Sequence, residues 1–420
     1  MTRIPAVLKI CLNLIKQIYD AWLIIKHFQT RFRSGKKWES MRVLHFLSGG
    51  QAGGIEILCR EIGEKSTHRN GFCFLSYGGE IYEQMTGFGH TTYRLYRSGK
   101  KWSFKKLVKI LEIAKGYDIV VAHHEDPFLE LYFLLTVFIR RIPGVRYVHS
   151  CYNDEVQFDT DKVKRAFKRM MRQWSLFAAS RIIFVSEAGK KSCEEGYRFN
   201  ERKSRIIYNG VAEKYLIEGE DHQIKIREPV EILYVGRLAA IKGLDILLKA
   251  IARLKEKCRV HLSLVGDGDQ RQFLERLAGK LQLTWKEGIA EGCDVTFYGV
   301  QTDIVPFLKR AMLFVYPSIC QEVFGLSIVE AMAFGIPCIG NCVGGIPEVI
   351  GNGRNGFLTK TTDVDGMYDA IKRLLEIMEN KEVFQDMSDG AKRTAQCFGI
   401  EKTCKTLDRE IEKLVMVKSN

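Results

Sequence analysis

Two pairs of charged residues in the second half of the chain have the types and spacing to bind a phosphate-containing sugar compound. Arg237 and Lys242 stand five residues apart, each beside a glycine, and two such cations can hold an anionic group. Glu322 and Glu330 stand eight residues apart, which spans about 12 Å in a helix. This separation suits one carboxylate that binds a sugar and another that binds a ribose, with a diphosphate between them.

Backbone groups beside these residues add a phosphate-binding feature. Gly325 and Leu326 follow Phe324 and open a helical run, so the first N–H groups and the positive dipole end of this helix face a ligand. Other glycines follow strand-like runs, where the backbone can approach a ligand closely. They are Gly236, Gly266, Gly268 and Gly299.

Histidines form a second candidate set in the first half of the chain. His123 and His124 follow the strand-like run Tyr117–Ala122, and His149 ends the run Arg146–His149. Each can face a ligand, or be an ordinary imidazole of the surface or core. The 12 Cys are scattered without C-x-x-C or Cys/His ligand spacing. This pattern favours reduced thiols in a cytosolic compartment over disulfides or zinc.

Short β-rich runs that alternate with helical stretches must position these residues. This alternation extends from Arg42 to Tyr208, is interrupted near Asn209-Gly210 and resumes at Glu231. It predicts an α/β protein with two doubly wound, Rossmann-like domains that face a cleft. The predicted divisions are 1–40 (N-terminal extension), 41–210 (first domain), 211–228 (linker), 229–395 (second domain) and 396–420 (a C-terminal helix that crosses back to the first domain).

Length and composition agree with two globular domains. The chain has 420 residues, of which 46% are hydrophobic and 27% charged, and only 8 are Pro. These values exclude a disordered or collagenous chain. A mean hydropathy of −0.11, without a clean apolar run of twenty residues, argues against a polytopic membrane protein.

The net positive charge of the chain is confined to its first half. Residues 1–210 carry 36 Lys and Arg against 20 Asp and Glu, whereas residues 211–420 carry 28 against 30. Two stretches, 94–109 and 162–181, contain cations and aromatic residues but no acid. This asymmetry predicts a polyanionic partner of the first half, with anionic lipid favoured over nucleic acid because no nucleic-acid module is recognisable. A basic surface that only confers solubility is the alternative.

The first forty residues predict an amphipathic helix. Between Ile4 and Ile25 the polar residues Lys9, Asn13, Lys16 and Asp20 fall within about 60° of one another on a helical wheel, and cations follow up to Lys37. A narrow polar stripe on a wide apolar body favours a helix that lies in a membrane interface through residues 4–37, rather than a spanning helix or a cleaved signal. Packing against protein is the alternative.

The joint order of the motifs resembles the family 4 retaining glycosyltransferases, which have the GT-B fold. The resemblance covers about residues 41–400, and it is more specific in the second half. The matching residues are Gly49-Gly50, Gly53-Gly54-Ile55-Glu56, Asn209-Gly210-Val211, Gly236-Arg237-Leu238 with Lys242-Gly243, Gly266-Asp267-Gly268, Phe297-Tyr298-Gly299, Pro317-Ser318, Glu322-x-Phe324-Gly325, Glu330-Ala331-Met332-Ala333, Gly335-x-Pro337 and Gly344-Gly345-x-Pro347-Glu348.

The resemblance implies roles for the candidate residues. Arg237 and Lys242 would hold the donor diphosphate and stabilise the charge that develops on it, Glu322 the donor sugar and Glu330 the ribose. His124 is favoured over His123 as the histidine that touches the donor sugar or acceptor, with His149 as a further candidate. The remaining donor-binding positions are Gly53, Gly54, Gly236, Gly266, Gly268, Gly299, Val300 (with Gly299 near the base), Phe324, Gly325 and Leu326.

The expected activity is transfer of a hexose-type sugar from a nucleoside diphosphate sugar with retention, by front-face attack and without a side-chain nucleophile, cofactor or metal. UDP is the default carrier and GDP the alternative. The expected acceptor is a lipid-linked glycan in bacterial polysaccharide, lipopolysaccharide or capsule synthesis, reached by a peripheral enzyme on the cytoplasmic face of the membrane. Alternatives are a GT-B-fold epimerase or phosphorylase and a catalytically silent partner subunit. The oligomeric state and linkage stay open.

Overall fold

A computed structural model describes residues 40–51, 53–95, 102–151, 162–288 and 292–416. The predicted extension through residues 4–37 and part of the basic stretch 94–109 lie outside the described residues. The chain groups into two compact units. Of the described residues, unit 1 takes 40–184, 192–207 and 404–416, and unit 2 takes 185–191 and 208–403.

Unit 1 is built on a seven-stranded parallel sheet with the order β3-β2-β1-β4-β5-β6-β7. The strands β1, β4, β5 and β6 are almost wholly buried, as expected for a parallel sheet covered on both faces. The strand bounds are β1 Arg42–Leu47, β2 Arg69–Phe74, β3 Thr91–Arg94, β4 Ile119–Ala122, β5 Gly144–Val148, β6 Arg181–Phe184 and β7 Ser204–Ile206.

Unit 2 repeats this architecture with the strand order β10-β11-β9-β8-β12-β13-β14, again parallel. In each sheet the strand order reverses beside the first strand of the unit, between β1 and β4 and between β8 and β12. Ligands of such sheets bind beyond the carboxyl ends at this point. The bounds are β8 Val230–Val235, β9 Val260–Val265, β10 Trp285–Glu287, β11 Val295–Gly299, β12 Leu313–Tyr316, β13 Cys338–Asn341 and β14 Gly356–Thr359.

Helices alternate with the strands and bury one apolar face each. Two of them contribute residues to both units, since the unit assignment changes between 191 and 192 and between 403 and 404. The bounds are α1 Gly54–Lys65, α2 Glu80–Gly87, α3 Phe104–Ala114, α4 Pro127–Arg140, α5 Lys162–Ala178, α6 Glu187–Gly196, α7 Glu213–Glu220, α8 Leu244–Lys255, α9 Arg271–Lys280, α10 Val305–Arg310, α11 Leu326–Ala333, α12 Ile346–Val349, α13 Val364–Glu379, α14 Lys381–Cys397 and α15 Ile400–Met416.

The predicted fold class is confirmed, because both sheets are parallel and doubly wound. Some elements were not expected from the sequence. The short edge strands β3 and β10 carry little apolar periodicity, and the predicted linker 211–228 contains the helix α7. Within the described part of the chain, no helix is both long enough and apolar enough to cross a membrane.

Candidate functional site

An ion pair lies at the carboxyl edge of the unit 2 sheet. Lys242, in a short 3₁₀ turn after β8, pairs through Nζ with the Glu322 carboxylate, which belongs to the loop between β12 and α11. The Lys242 ammonium also donates to the Tyr316 hydroxyl at 3.2 Å. Glu322 accepts a second hydrogen bond from the Ser318 hydroxyl at 2.7 Å. The structure therefore brings together two residues that lie 80 positions apart and that the sequence placed in one site.

The Glu322 carboxyl is held in its ionised form. Burial alone would raise its pKa, but the Lys242 ammonium and the hydrogen bonds from Lys242, Ser318 and Cys320 outweigh it and lower the pKa. Both side chains of the pair are only 14% exposed. Charge-assisted hydrogen bonds in such a partly desolvated place are stronger than those in water, so the pair is a fixed feature of this edge.

Arg237 differs from Lys242 in having no carboxylate partner among the described residues. It lies two residues beyond the end of β8, its side chain is exposed, and its carbonyl oxygen accepts from the Tyr234 hydroxyl at 2.9 Å. The guanidinium can present several donors to an anion in a planar fork. Among the described residues, Arg237 is therefore a cation of this edge whose donors are not taken up by a carboxylate.

Glycines let the loops of this edge pack on one another. A Cβ at Gly266 would lie 2.0 Å from the Gly236 carbonyl oxygen, and its φ of +130° also disfavours other residues. A Cβ at Gly268 would lie 2.3 Å from the Leu238 carbonyl oxygen. Neighbouring backbone thus approaches these glycines closely, and this packing fixes the loop that carries Arg237. The predicted close approach of a ligand stays a prediction. Gly299 joins the same layer through a bond from Gly266 N–H to its carbonyl oxygen at 2.8 Å.

The helix α11 begins at Leu326, four residues after Glu322 in the chain. Gly325 precedes it in the left-handed conformation and no side chain caps the first N–H groups. Phe324 is buried below this turn. Free N–H groups and the positive dipole end make this terminus suited to an anion.

Glu330 lies one turn further along α11 and has no hydrogen-bond or ionic partner among the described residues. Burial raises its pKa to about 7, and the Lys214 charge opposes this only in part. A carboxyl that is desolvated without a partner is ready to accept hydrogen bonds from hydroxyl groups of a ligand. Val300, by contrast, is 73% exposed directly after β11.

The carboxyl edge of the unit 1 sheet brings the predicted histidines together. His124 donates from Nε2 to Glu56 Oε1 at 3.1 Å and accepts at Nδ1 from the Ser48 N–H at 3.2 Å. Both of its ring nitrogens are thereby engaged in joining the ends of β1 and β4 to α1. His124 therefore has no free nitrogen for a ligand in this arrangement.

His123 is fully buried, and its ring nitrogens are engaged by His45 and His149. The predicted Gly53 and Gly54 flank the start of α1 in the same unit. A Cβ at Gly53 would lie 2.7 Å from Glu56 Oε2, whereas a Cβ at Gly54 would meet open space. The glycine loop and the histidines thus share one edge, as their position after strands predicted.

Several residues of these edges were missed by sequence reasoning. Arg146, on β5 and fully buried, donates to the carbonyl oxygens of Ala122 at 2.7 Å and His124 at 2.8 Å, which fixes the segment after β4. Glu348 was noted only as part of a motif, yet it accepts from the backbone N–H groups of Glu187 and Ala188 at the start of α6. The available signal for Arg146 was a charged residue inside an apolar strand, and for Glu348 a charged residue shortly after a Gly-Gly turn.

No metal-binding group is present in the part of the chain that the structure describes, if three His, Cys, Asp or Glu side chains are required. The cysteines in this part are free thiols, most of them buried or partly buried.

Comparison with known proteins gives two family matches. Residues 48–214 match the family described as Glycosyltransferase Family 4, and residues 229–377 match Glycosyl transferases group 1. An uncharacterized glycosyltransferase of Haemophilus influenzae is 25% identical over 362 residues, which cover 84% of this chain and 94% of that protein.

Solved structures share the fold. HepE of Anabaena, in complex with UDP, superposes with a TM-score of 0.72 at 20% identity and covers 89% of this chain and 100% of its own. The lipopolysaccharide outer core galactosyltransferase WaaB superposes with a TM-score of 0.64 at 18% identity, over 89% of this chain and 99% of its own. The predicted family is confirmed: this chain, an enzyme by its relatives, belongs to the family 4 glycosyltransferases.

Proposed function

We propose that the enzyme transfers a hexose-type sugar, with retention, from a nucleoside diphosphate sugar to a lipid-linked glycan. The observation that carries the proposal is the set of groups at the carboxyl edge of unit 2: exposed Arg237, the Lys242–Glu322 pair and unpartnered Glu330 along α11. UDP is the favoured carrier and GDP the alternative. HepE, which was solved with UDP and with UDP-glucose, supports UDP.

In this proposal the leaving diphosphate is stabilised by cations of the chain. Arg237 and Lys242 meet the negative charge that grows as the glycosidic bond breaks, and fixed charges in a dry site are worth far more than in water. The N–H groups of Leu326 and the next residue add donors to the same anion. The chain thereby supplies charge stabilisation itself, and we expect no requirement for a metal or cofactor.

The remaining donor contacts follow from the same edge. Glu330 accepts from the ribose hydroxyl groups, and Glu322 binds the donor sugar while Lys242 keeps it ionised. The backbone near Gly299 and Val300 lies against the base. Gly53 and Gly54 let the loop before α1 approach the donor phosphates or the acceptor.

Retention is assigned to front-face attack. A double displacement would need a carboxylate free to attack the anomeric carbon. Glu322, the ionised carboxylate of this edge, is instead engaged by Lys242 and by the Ser318 hydroxyl. The leaving phosphate then takes the proton of the acceptor hydroxyl, so a base other than the phosphate is not needed.

The acceptor is proposed to be membrane-presented because of the surface of α5. Val163, Met170, Trp174 and Phe177 are 37–53% exposed and fall within about 60° of one another at 100° per residue. The buried residues Met171, Arg172, Ser175 and Leu176 occupy the opposite face. Such a stripe of apolar side chains on the outer face of a helix suits insertion at a lipid interface.

The positive charge of α5 indicates which kind of surface this helix would bind. α5 contains no acid, and five of its cations are exposed or partly exposed: Lys162, Lys164, Arg165, Lys168 and Arg169. Phe138, on α4, against which α5 packs, is 63% exposed and extends the apolar area. Anionic lipid matches both features, whereas nucleic acid would use the cations but not an apolar stripe. The enzyme would then be peripheral on the cytoplasmic face of the membrane.

The test begins with thermal unfolding of the full chain in UDP, GDP, ADP and NAD at equal excess. A ligand at 100 times its Kd raises the unfolding free energy by about 2.7 kcal/mol, and we expect this with UDP. Incubation with UDP-glucose, with and without membrane lipid extract, then separates the alternatives. Sugar isomerisation without acceptor would indicate an epimerase. No stabilisation by any nucleoside diphosphate, and no release of UDP on prolonged incubation, would overturn the proposal in favour of a silent subunit.

A further inference from the structure

A cavity of about 720 Å³ lies at the amino edge of the unit 2 sheet, where β8, β9 and β11 begin. Glu231 and His261, the second residues of β8 and β9, line it from the sheet. The Lys242–Glu322 pair lies at the opposite edge, and a six-residue strand such as β8 spans about 20 Å between the two. Small-molecule sites in proteins measure about 300–1,000 Å³. The cavity is therefore separate from the candidate site and large enough for a ligand.

Four cations from three segments line this cavity. Arg227 precedes β8, Lys255 and Arg259 lie at and after the end of α8, and Arg310 ends α10. All four residues are exposed. The half of the chain that contains them, residues 211–420, has 28 Lys and Arg against 30 Asp and Glu. Four cations around one concave place are thus a local feature, and not the consequence of a generally basic surface.

Most hydrogen-bond donors of the three arginines are unused within the described residues. The Arg259 guanidinium has no hydrogen-bond or ionic partner there. Arg227 donates to the Arg310 carbonyl oxygen at 3.3 Å, and Arg310 Nη2 lies 3.8 Å from Glu231 Oε2, which is a long contact. Each guanidinium carries five N–H donors, so these groups can still bind an anion.

The two acids that line the cavity are already engaged. The Glu231 carboxylate accepts a hydrogen bond from the Ser263 hydroxyl and lies 2.8 Å from His261 Nδ1. Asp294 pairs with Lys255 at 2.8 Å and accepts from the backbone N–H of the residue at position 284 at 2.7 Å. These carboxylates do not neutralise the arginines, and the charge that faces a ligand is positive.

We propose that this cavity binds a phosphorylated organic anion, such as a nucleotide or a sugar phosphate, as a ligand other than the donor. A phosphate group carries nearly two negative charges and three acceptor oxygens at one point, which suits converging guanidinium groups better than a single carboxylate. The cavity is far larger than one phosphate group. Pro229, Val260, Cys258 and Cys293 line the rest of it and offer a surface to an organic body.

Binding is tested by calorimetry on the full chain. UDP is titrated first, and this result bears on the proposed function alone. ATP, glucose 6-phosphate, inorganic pyrophosphate and citrate are then titrated with UDP present in excess. We expect ATP or glucose 6-phosphate to bind, and to bind more tightly than pyrophosphate or citrate. No binding of either organic phosphate, or tighter binding of pyrophosphate or citrate, would overturn the proposal.

The place of binding is tested by two matched double variants. Arg227→Ala with Arg259→Ala removes two arginines that have no carboxylate partner among the described residues, and should weaken the bound phosphate about tenfold or more. Arg276→Ala with Arg393→Ala removes two exposed arginines of unit 2 that do not line the cavity, and should leave the affinity unchanged. Equal affinity in both double variants, or a loss in Lys242→Met instead, would contradict the proposal.

A cysteine in the lining gives a second readout that involves no sugar transfer. Cys293 is partly exposed in the cavity, whereas Cys397 is exposed on α14 and does not line it. Alkylation by iodoacetamide, followed by mass spectrometry, should slow severalfold at Cys293 when the organic phosphate is bound and stay unchanged at Cys397. Arg227→Ala with Arg259→Ala should abolish this protection. Unprotected Cys293 at a saturating concentration of the phosphate would overturn the proposal, whether or not UDP binds.

Discussion

The carboxyl edges of the two sheets share one topology but carry opposite kinds of polar groups. In unit 2 the edge is ionic: an exposed Arg237, an ion pair of Lys242 with Glu322 and the open N-terminus of α11. In unit 1 the edge presents imidazoles: burial keeps His123 and His149 uncharged, and His124 is bonded at both ring nitrogens. Charge suits a diphosphate, and neutral acceptors suit hydroxyl groups.

This difference explains how one architecture can serve two tasks within one chain. The sheet places the ends of its strands side by side, and the residue types at those ends decide which ligand is stabilised there. Substitution can therefore alter one edge without changing the other.

The largest effect is expected from Lys242→Met. It removes a cation that we propose for the leaving diphosphate and leaves the Glu322 carboxylate without its ionic partner. We expect kcat/KM to fall about 100- to 1000-fold, or roughly 2.7–4 kcal/mol of transition-state stabilisation. The measurement is steady-state release of UDP from UDP-glucose.

A matched control is Lys249→Met, which removes an equal charge from the same unit. Lys249 is 41% exposed and, within the described ranges, its ionic partner is Asp245 one turn away, so activity should stay within twofold. Arg237→Ala should lower activity as Lys242→Met does but leave thermal unfolding unchanged, because no described carboxylate depends on it. Wild-type activity in both Arg237→Ala and Lys242→Met would refute the ionic edge.

Glycine packing offers the next contrast between the edges. In unit 2, Gly266→Ala puts a Cβ 2.0 Å from the Gly236 carbonyl oxygen at a φ of +130°, so we expect a loss of about 1–3 kcal/mol of unfolding free energy or more. In unit 1, Gly54→Ala places its Cβ in open space at the first position of α1 and should raise stability by up to about 1 kcal/mol. Urea unfolding curves of both variants measure the difference, and equal losses would show that the two loops are built alike.

The two edges also differ in how far the sequence predicted them. Arg237, Lys242, Glu322 and Glu330 directly follow strands or open a helix, so local spacing and the family pattern were sufficient to group them. The hydrogen-bonded row of His45, His123 and His149 depends instead on the register of the strands. His45 pairs with Val121, and Val121 with Val145, which puts His123 and His149 on the face of His45.

That register joins residues 78 and 26 positions apart, and nothing local in the sequence encodes it. His45 lies within an apolar strand and its hydrogen-bond partner Asn70 near the start of β2, so the sequence does not mark either of them as a functional residue. The preference for His124 over His123 likewise rests on a motif, since the sequence does not show which ring nitrogens are already bonded. Hydrogen-bond satisfaction is a property of the folded arrangement.

A third contrast concerns the outer surfaces of the units. Trp174→Ala with Phe177→Ala removes the two largest side chains of the α5 stripe, each about half exposed. We expect binding to vesicles containing anionic lipid to weaken about tenfold, since burying these rings in lipid contributes roughly 1–2 kcal/mol.

The matched change in unit 2 is Phe273→Ala on α9, which has a similar exposure of 45%. Co-sedimentation with the vesicles should be unaffected by this variant. Equal binding of the double variant and the wild-type protein would remove α5 as the lipid-facing surface, and weaker binding of Phe273→Ala would move that surface to unit 2.

The smallest effect is expected from the titration of Glu330, a carboxyl of the unit 2 edge that, unlike Glu322, is not held ionised. Its pKa, about 7 against an ordinary 4.5, means that folding favours its protonated form, so its contribution to stability is present below pH 4.5 and is lost as the pH rises through 7. Ribose hydroxyl groups prefer the ionised form as acceptor. The affinity for UDP should therefore increase severalfold between pH 6 and pH 8, measured by calorimetry. Glu330→Gln should lose this increase while retaining whatever pH dependence UDP itself brings, and an identical profile in both proteins would remove Glu330 from the nucleotide site.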